Sequence, residues 1–152
     1  MESKKIVHIL LVEDNEGDIL LTQDAFEESK ISTEISVARN GQEALDFLYN
    51  RNAFLEAKKP DLILLDINLP IYNGHEVLKK IKHDSSLKKI PVIMLTTSAF
   101  ANDINQAYEN NCNSYVKKPL DMEEFLKAIL KIAYDVQLHN GHPTLDIRFS
   151  AY

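Results

Sequence analysis

The chain has little glycine. Its four glycines, Gly17, Gly41, Gly74 and Gly141, stand far apart. No GxGxxG and no GxxxxGK[ST] can be assembled from them, so dinucleotide fingerprints and P-loops are excluded in their usual forms. Cysteine is scarcer still. Cys112 is the only one in 152 residues, which leaves no internal disulfide and no cysteine zinc site. Positive charge is in the minority: 17 Lys and Arg stand against 23 Asp and Glu, for a net charge of −6. That is the reverse of a DNA-binding footprint. No apolar run approaches the roughly 18 residues that cross a bilayer. The opening MESKKIVHILLVED ends its short apolar run in two acids, without the small-residue cleavage site of a signal peptide. A cytoplasmic protein with no nucleic-acid and no membrane partner is the expectation. The length suits one domain of about 100–200 residues.

What is present is a regular alternation. Residues 6–12 (IVHILLV) are nearly all apolar and rich in β-branched side chains, which predicts a strand buried on both faces. Residues 16–29 predict a helix with Ile19, Leu20, Leu21, Ala25 and Phe26 on its inner side. Residues 34–38 alternate as a second strand. Asn40 and Glu43 have capping-box spacing and open a helix carrying Ala44, Leu45, Leu48 and Tyr49. Residues 51–59 make a long connection or an extension of that helix. Residues 62–65 (LILL) are a third strand. Asn73 and Glu76 repeat the cap ahead of Val77, Leu78 and Ile81. Residues 92–95 (VIML) are a fourth strand, 103–110 a weaker helix, and 114–116 a fifth strand that stops before Pro119. Asp121 and Glu124 cap a last helix with Phe125, Leu126, Ile129, Leu130, Ile132 and Ala133.

Strands and helices that alternate five times predict an α/β domain, with a parallel sheet covered by helices on both faces. Residues 1–138 form this domain. Residues 139–152 are expected to form a C-terminal tail with no effector domain, whose Leu145, Ile147, Phe149 and Tyr152 suit packing on the body or on a partner.

Ligands of open parallel sheets sit at the carboxyl ends of the strands. Here those ends carry Glu13 and Asp14, then Asp66 with Asn68 two residues on, then Thr96, and last Lys117 and Lys118. Each alone reads as a cap, a turn or a surface charge. Together they put three carboxylates, a hydroxyl and an ammonium on one edge. Two carboxylates ~5 Å apart repel by roughly 3 kcal/mol at an effective dielectric near 20. A bound cation, a paired lysine or a raised pKa relieves this. Oxygen donors of this kind suit Mg²⁺. A carboxylate beside Mg²⁺ and a lysine can attack phosphorus to give an acyl phosphate.

The segments ILLVEDN (9–15), DLILLDINLP (61–70), NG (73–74), PVIMLTTSA (91–99) and SYVKKPLD (114–121) resemble the receiver domain of two-component response regulators. The resemblance covers about residues 5–135. It implies a flavodoxin-like (βα)5 fold with strand order 2-1-3-4-5, the order of the chemotaxis member of the family. It implies that Asp66 is the phosphoacceptor, supplied by a sensor histidine kinase or a histidine phosphotransfer protein. It implies Mg²⁺ held by Asp14, Glu13, Asp66 and the backbone carbonyl of Asn68. It makes Thr96 the switch hydroxyl, Lys118 the ion-pair partner of Asp66 or its phosphate, Tyr115 the switch aromatic and Pro119 a cis-proline. Gly74 is expected to relax the turn after the active-site strand. LTTS, NLP and EVLKKIKHDSSLKKIPVI are similar to the stand-alone regulators paired with bacterial phytochromes. Such a protein is not an enzyme toward other substrates and catalyses only its own phosphorylation and dephosphorylation. Its output is a change of protein partner, with a homodimer through the tail as one form. A phosphohydrolase is the rival, but it needs an acid where Asn68 stands. A flavodoxin needs a hydroxyl-rich loop in place of EDNE.

Overall fold

The structure, a computed structural model, describes residues 6–29 and 31–140, without the side chains of 132–140. The chain runs β1 (Val7–Val12), α1 (Glu16–Glu28), β2 (Thr33–Ala38), α2 (Gly41–Leu48), β3 (Leu62–Leu65), α3 (Gly74–Lys82), β4 (Val92–Thr96), α4 (Ala101–Glu109), β5 (Ser114–Lys117) and α5 (Met122–Asn140). The five strands form one sheet in the order β2-β1-β3-β4-β5. All four pairings are parallel. This is the expected flavodoxin-like order.

The two-residue period of the strands divides the core. Leu10, Val12, Ile63, Leu65, Val92 and Met94 face α2, α3 and α4 through Phe47, Leu48, Val77, Leu78, Ile81 and Ala107. Ile9, Leu11, Leu62, Leu64, Ile93 and Leu95 face α1 and α5 through Ile19, Phe26, Phe125 and Ile129. The Phe26 and Phe125 rings meet edge to face, 4.9 Å between centroids. The central strands β3 and β4 are buried along their whole length. That is why LILL and VIML carry no polar residue.

Both asparagines cap as the spacing predicts, but only the second completes the box. The Asn40 side chain accepts from the Glu43 N–H. Asn73 and Glu76 make a complete capping box. Each cap contributes about 1 kcal/mol.

Three expectations about packing need correction. On α1 the buried residues are Ile19, Thr22 and Phe26, whereas Leu20 and Leu21 are 52% and 57% exposed. The inner face is a narrow stripe at steps of three and four, and the neighbouring leucines fall outside it on the turn of the helix. On α5, Leu130 is exposed on the same ground; the side chains of Ile132 and Ala133 lie outside the described residues. Tyr49 is not a core residue. It is the C-cap of α2, and its hydroxyl donates to Asp84 at 2.6 Å.

Residues 51–59 do not extend α2. Asn50 and Asn52 take φ of 53° and 55°, the left-handed conformation that ends a helix, and a single 3₁₀ turn follows at Asn52–Phe54. The helix α4 starts two residues earlier than expected, after Phe100, which makes no side-chain cap. The helix α5 includes His139 and Asn140, two residues past the expected boundary at 138. Leu145, Ile147, Phe149 and Tyr152 lie outside the described residues.

Candidate functional site

The carboxyl ends of β1, β3, β4 and β5 converge. Asp66 follows β3 directly, and its N–H donates to the Val12 carbonyl at 3.1 Å, which ties it to the end of β1. Glu13 is anchored in turn by its own N–H on the Ala38 carbonyl at 2.9 Å. Thr96 closes β4 and is fully buried. Its carbonyl accepts from the Lys118 N–H at 2.8 Å, which sets the start of the loop after β5. The Lys118–Pro119 bond is cis.

One side chain holds the cluster together. The Lys118 ammonium lies 3.0 Å from Asp66 Oδ2 and 2.9 Å from Asp18 Oδ2, and it also pairs with Glu13 Oε1. The other Asp66 oxygen, Oδ1, accepts from the Ile67 N–H at 2.7 Å. The side chains of Lys118, Glu13 and Asp66 are all buried. A buried charge of this kind stays only when paired, and removing one partner of such a pair costs about 3–5 kcal/mol. Burial alone would lower the Lys118 pKa, but hydrogen bonds to Glu13, Asp18 and Asp66 outweigh it and raise the pKa well above its ordinary value. Burial pushes the Glu13 carboxyl up; the Lys118 hydrogen bond pulls it back and the Asp66 charge adds to the rise.

Glu13, Asp14 and Asp66 each offer an oxygen, and these atoms lie within 4.8 Å of one another. Asp14 is exposed, while the other two are buried. An all-oxygen set, open on one side, fits a hard divalent cation that keeps part of its water shell. Asn68 is exposed in the loop that begins with Asp66.

Beyond Thr96 the bonding continues toward α4. The Ser98 N–H donates to Thr96 Oγ1 at 3.4 Å. The Tyr115 hydroxyl donates to the Ser98 carbonyl at 2.9 Å, with its ring partly buried against the α2–α4 cluster. Burial raises the Tyr115 pKa. Ser98 Oγ donates to Asp103 at 2.5 Å, and Asp103 also lies 3.2 Å from Nε2 of buried His75.

Gly74 serves differently from expectation. It is the first residue of α3, and its N–H donates to the Ile67 carbonyl at 2.8 Å. A Cβ there would stand 2.1 Å from the Asp66 carbonyl oxygen. Glycine is needed because α3 begins against the backbone of Asp66. The left-handed residue of the turn is Ile71, at φ 70°.

The expected residues Glu13, Asp14, Asp66, Thr96 and Lys118 thus meet at one edge, with Tyr115 beside them. Sequence reading missed Asp18. The available signal was its place three residues after the cap Asn15, where Glu43 and Glu76 also stand.

A doubly wound sheet with this acid–lysine edge defines a class of phosphoryl-accepting signalling domains. Comparison with known proteins agrees: the response regulator receiver domain family matches residues 9–130, and the chain belongs to that family. Phosphorylation on an aspartate and dependence on Mg²⁺ are general in it. Among individual proteins, the chain is 40% identical to the response regulator Rcp1 of Synechocystis over 121 residues, which are 80% of this chain and 82% of Rcp1. The solved Mn²⁺-bound form of Rcp1 superposes with a TM-score of 0.72 at 34% identity, over 93% of this chain and 99% of that one. The phosphorylated cyanobacterial phytochrome response regulator RcpA superposes with a TM-score of 0.74 at 38% identity, over 94% and 99%. No described helix is long and apolar enough to cross a membrane.

Proposed function

We propose that Asp66 is the phosphoacceptor of this receiver, and that a sensor histidine kinase or a histidine phosphotransfer protein supplies the phosphoryl group. The observation that carries this is the meeting of Asp66 with Lys118 at 3.0 Å, on the edge where Glu13 and Asp14 also offer oxygens. A carboxylate oxygen of Asp66 attacks the phosphorus of a phosphohistidine. The P–N bond breaks, its electron pair leaves on the imidazole nitrogen, and that nitrogen takes a proton from water. The product is an acyl phosphate. Lys118 is already within reach of the new phosphoryl oxygens and needs little reorganisation to neutralise them. Glu13, Asp14, Asp66 and the Asn68 carbonyl would hold Mg²⁺, which would supply positive charge against the same oxygens.

Phosphorylation adds about −1.5 to −2 charge at Asp66. Thr96, at the end of the adjacent strand, donates its hydroxyl to the phosphoryl group. The movement passes to Ser98, which Thr96 and Tyr115 both hold, and so to α4. The surface of α4, β5 and α5 then changes its affinity for a protein partner. A bacterial phytochrome kinase suits the input, because RcpA is a phytochrome response regulator. A homodimer in which the 139–152 tail takes part suits the output. The protein acts in the cytoplasm, and its only chemistry is on its own carboxylate.

Replacing Asp66 with Asn removes the nucleophile. The variant is expected to take no label from acetyl phosphate and Mg²⁺ under conditions that label the wild type. Stoichiometric labelling of that variant would overturn the assignment.

A further inference from the structure

Three helices open with an asparagine cap and carry an acid three residues later. At two of them the acid turns back along its own chain. Glu76 accepts from the Asn73 N–H at 3.4 Å, and Glu43 accepts from the Arg39 N–H at 2.7 Å. Asp18 holds the same place in α1 and does not turn back. The Asn15 N–H goes to Glu13 Oε2 instead, at 3.2 Å. The Asp18 carboxylate reaches Lys118, 100 residues away in sequence, at 2.9 Å.

The Lys118 ammonium has three protons to donate and three carboxylates around it: Glu13, Asp18 and Asp66. Glu13 and Asp66 belong to the oxygen set that suits a divalent cation. Asp18 does not. We propose that Asp18 is a positioning residue that holds the Lys118 ammonium beside Asp66 and leaves the oxygens of Glu13 and Asp66 free to turn to the cation. The proposal rests on the reading of Glu13, Asp14 and Asp66 as the metal donors.

The reason is competition between two cations for shared oxygens. Without Asp18, the remaining acceptors of Lys118 are both metal donors. The ammonium settles between them, and an arriving divalent ion has to displace it. It also faces the charge of Lys118 with one fewer anion to balance it. With Asp18 present, Lys118 keeps a partner of its own when Glu13 leaves it. Asp18 suits this task because its side chain lies at the rim, 32% exposed, where it can follow the ammonium.

The test is Mn²⁺ binding to the full chain by calorimetry, without any phosphoryl donor. The variants are Asp18→Asn, Asp18→Glu and Glu16→Gln. Glu16 is also a first-turn acid of α1, but it pairs with Arg39 at 2.5 Å and not with Lys118, so its removal takes away a first-turn charge and a surface ion pair and leaves the partners of Lys118 in place. Asp18→Asn is expected to raise the Mn²⁺ Kd about five- to tenfold. Glu16→Gln is expected to change it by less than about twofold, since exposed first-turn charges contribute weakly. Asp18→Glu restores the carboxylate and is expected to recover most of the affinity. The proposal is overturned if Asp18→Asn weakens Mn²⁺ no more than Glu16→Gln does, or if Asp18→Glu binds as weakly as Asp18→Asn. A wild type that binds no Mn²⁺ overturns the metal-donor reading as well.

Discussion

Gly74→Ala tests how closely α3 is built against the site. An added Cβ would meet the Asp66 carbonyl oxygen at 2.1 Å, the Ile67 Cα at 2.7 Å and the Asp66 carbonyl carbon at 2.8 Å. All three are backbone atoms, so no rotamer change relieves the overlap. Ordinary contact begins near 3.4 Å. Either the start of α3 or the Asp66–Ile67 backbone must therefore shift by about 1 Å, and overpacking of this kind costs about 1–3 kcal/mol. Alanine offsets little of that at the first helical position, which cap geometry governs. We expect a loss of about 2–3 kcal/mol in urea unfolding, or a fall in Tm of roughly 4–12 °C for a chain of this length. The same shift draws the Asp66 carboxylate away from Lys118. A misplacement of about 1 Å can cost ~100-fold in rate, so labelling by acetyl phosphate should fall by at least about tenfold. Gly17→Ala is the control. Its Cβ meets only the Asn15 Oδ1 at 3.2 Å, a cap side chain that can yield, so its stability should stay within about 1 kcal/mol of wild type. A Gly74→Ala protein within 0.5 kcal/mol of wild type (about the scatter of a neutral substitution) would refute the close-packing argument whatever its labelling.

Phe125→Ala empties a fully buried site against Phe26 and should cost about 3–5 kcal/mol in chemical denaturation. The double variant with Phe26→Ala should fall short of additivity by about 0.5–1.5 kcal/mol, the share of the edge-to-face pair; strict additivity would deny that pair. Asp84 is held down to about 2 by the Ser86 hydroxyl first, then by the Tyr49 hydroxyl and the Ser86 N–H. A carboxyl lowered in the folded state stabilises fully above its ordinary 3.8 and loses that contribution as pH falls through about 2. The Tm advantage of wild type over Asp84→Asn should therefore shrink between pH 4 and pH 2, and an advantage constant over that range would contradict the assignment. Sedimentation of the full chain beside a chain of residues 1–138 should show weaker self-association in the shorter one; identical behaviour would remove the tail from the dimer.

Much of this protein is legible in its sequence because the informative residues act locally or repetitively. LILL and VIML read as central strands of a parallel sheet because a strand covered on both faces has no polar side to show. Asn40 and Asn73 announce α2 and α3 because a cap bonds to N–H groups two or three residues away. The order of strand-end residues then puts Glu13, Asp14, Asp66, Thr96 and Lys118 on one edge before any coordinate is known. Other features depend on distant parts of the chain. Leu20 and Leu21 have the hydrophobicity of core residues, and they stay outside because the face of α1 that docks on the sheet runs through Ile19, Thr22 and Phe26. The glycine at 74 reads as turn chemistry, yet the left-handed residue is Ile71, and the glycine is there because α3 starts against Asp66. Asp18 reads as an ordinary first-turn acid, and only the arrival of Lys118 gives it a partner. Sequence alone determined the elements, their alternation and the edge where the chemistry collects, because these follow from side-chain period and backbone capping. The tertiary structure decided which three carboxylates surround the Lys118 ammonium and which helix face is dry, because those depend on distances between segments that no local pattern encodes.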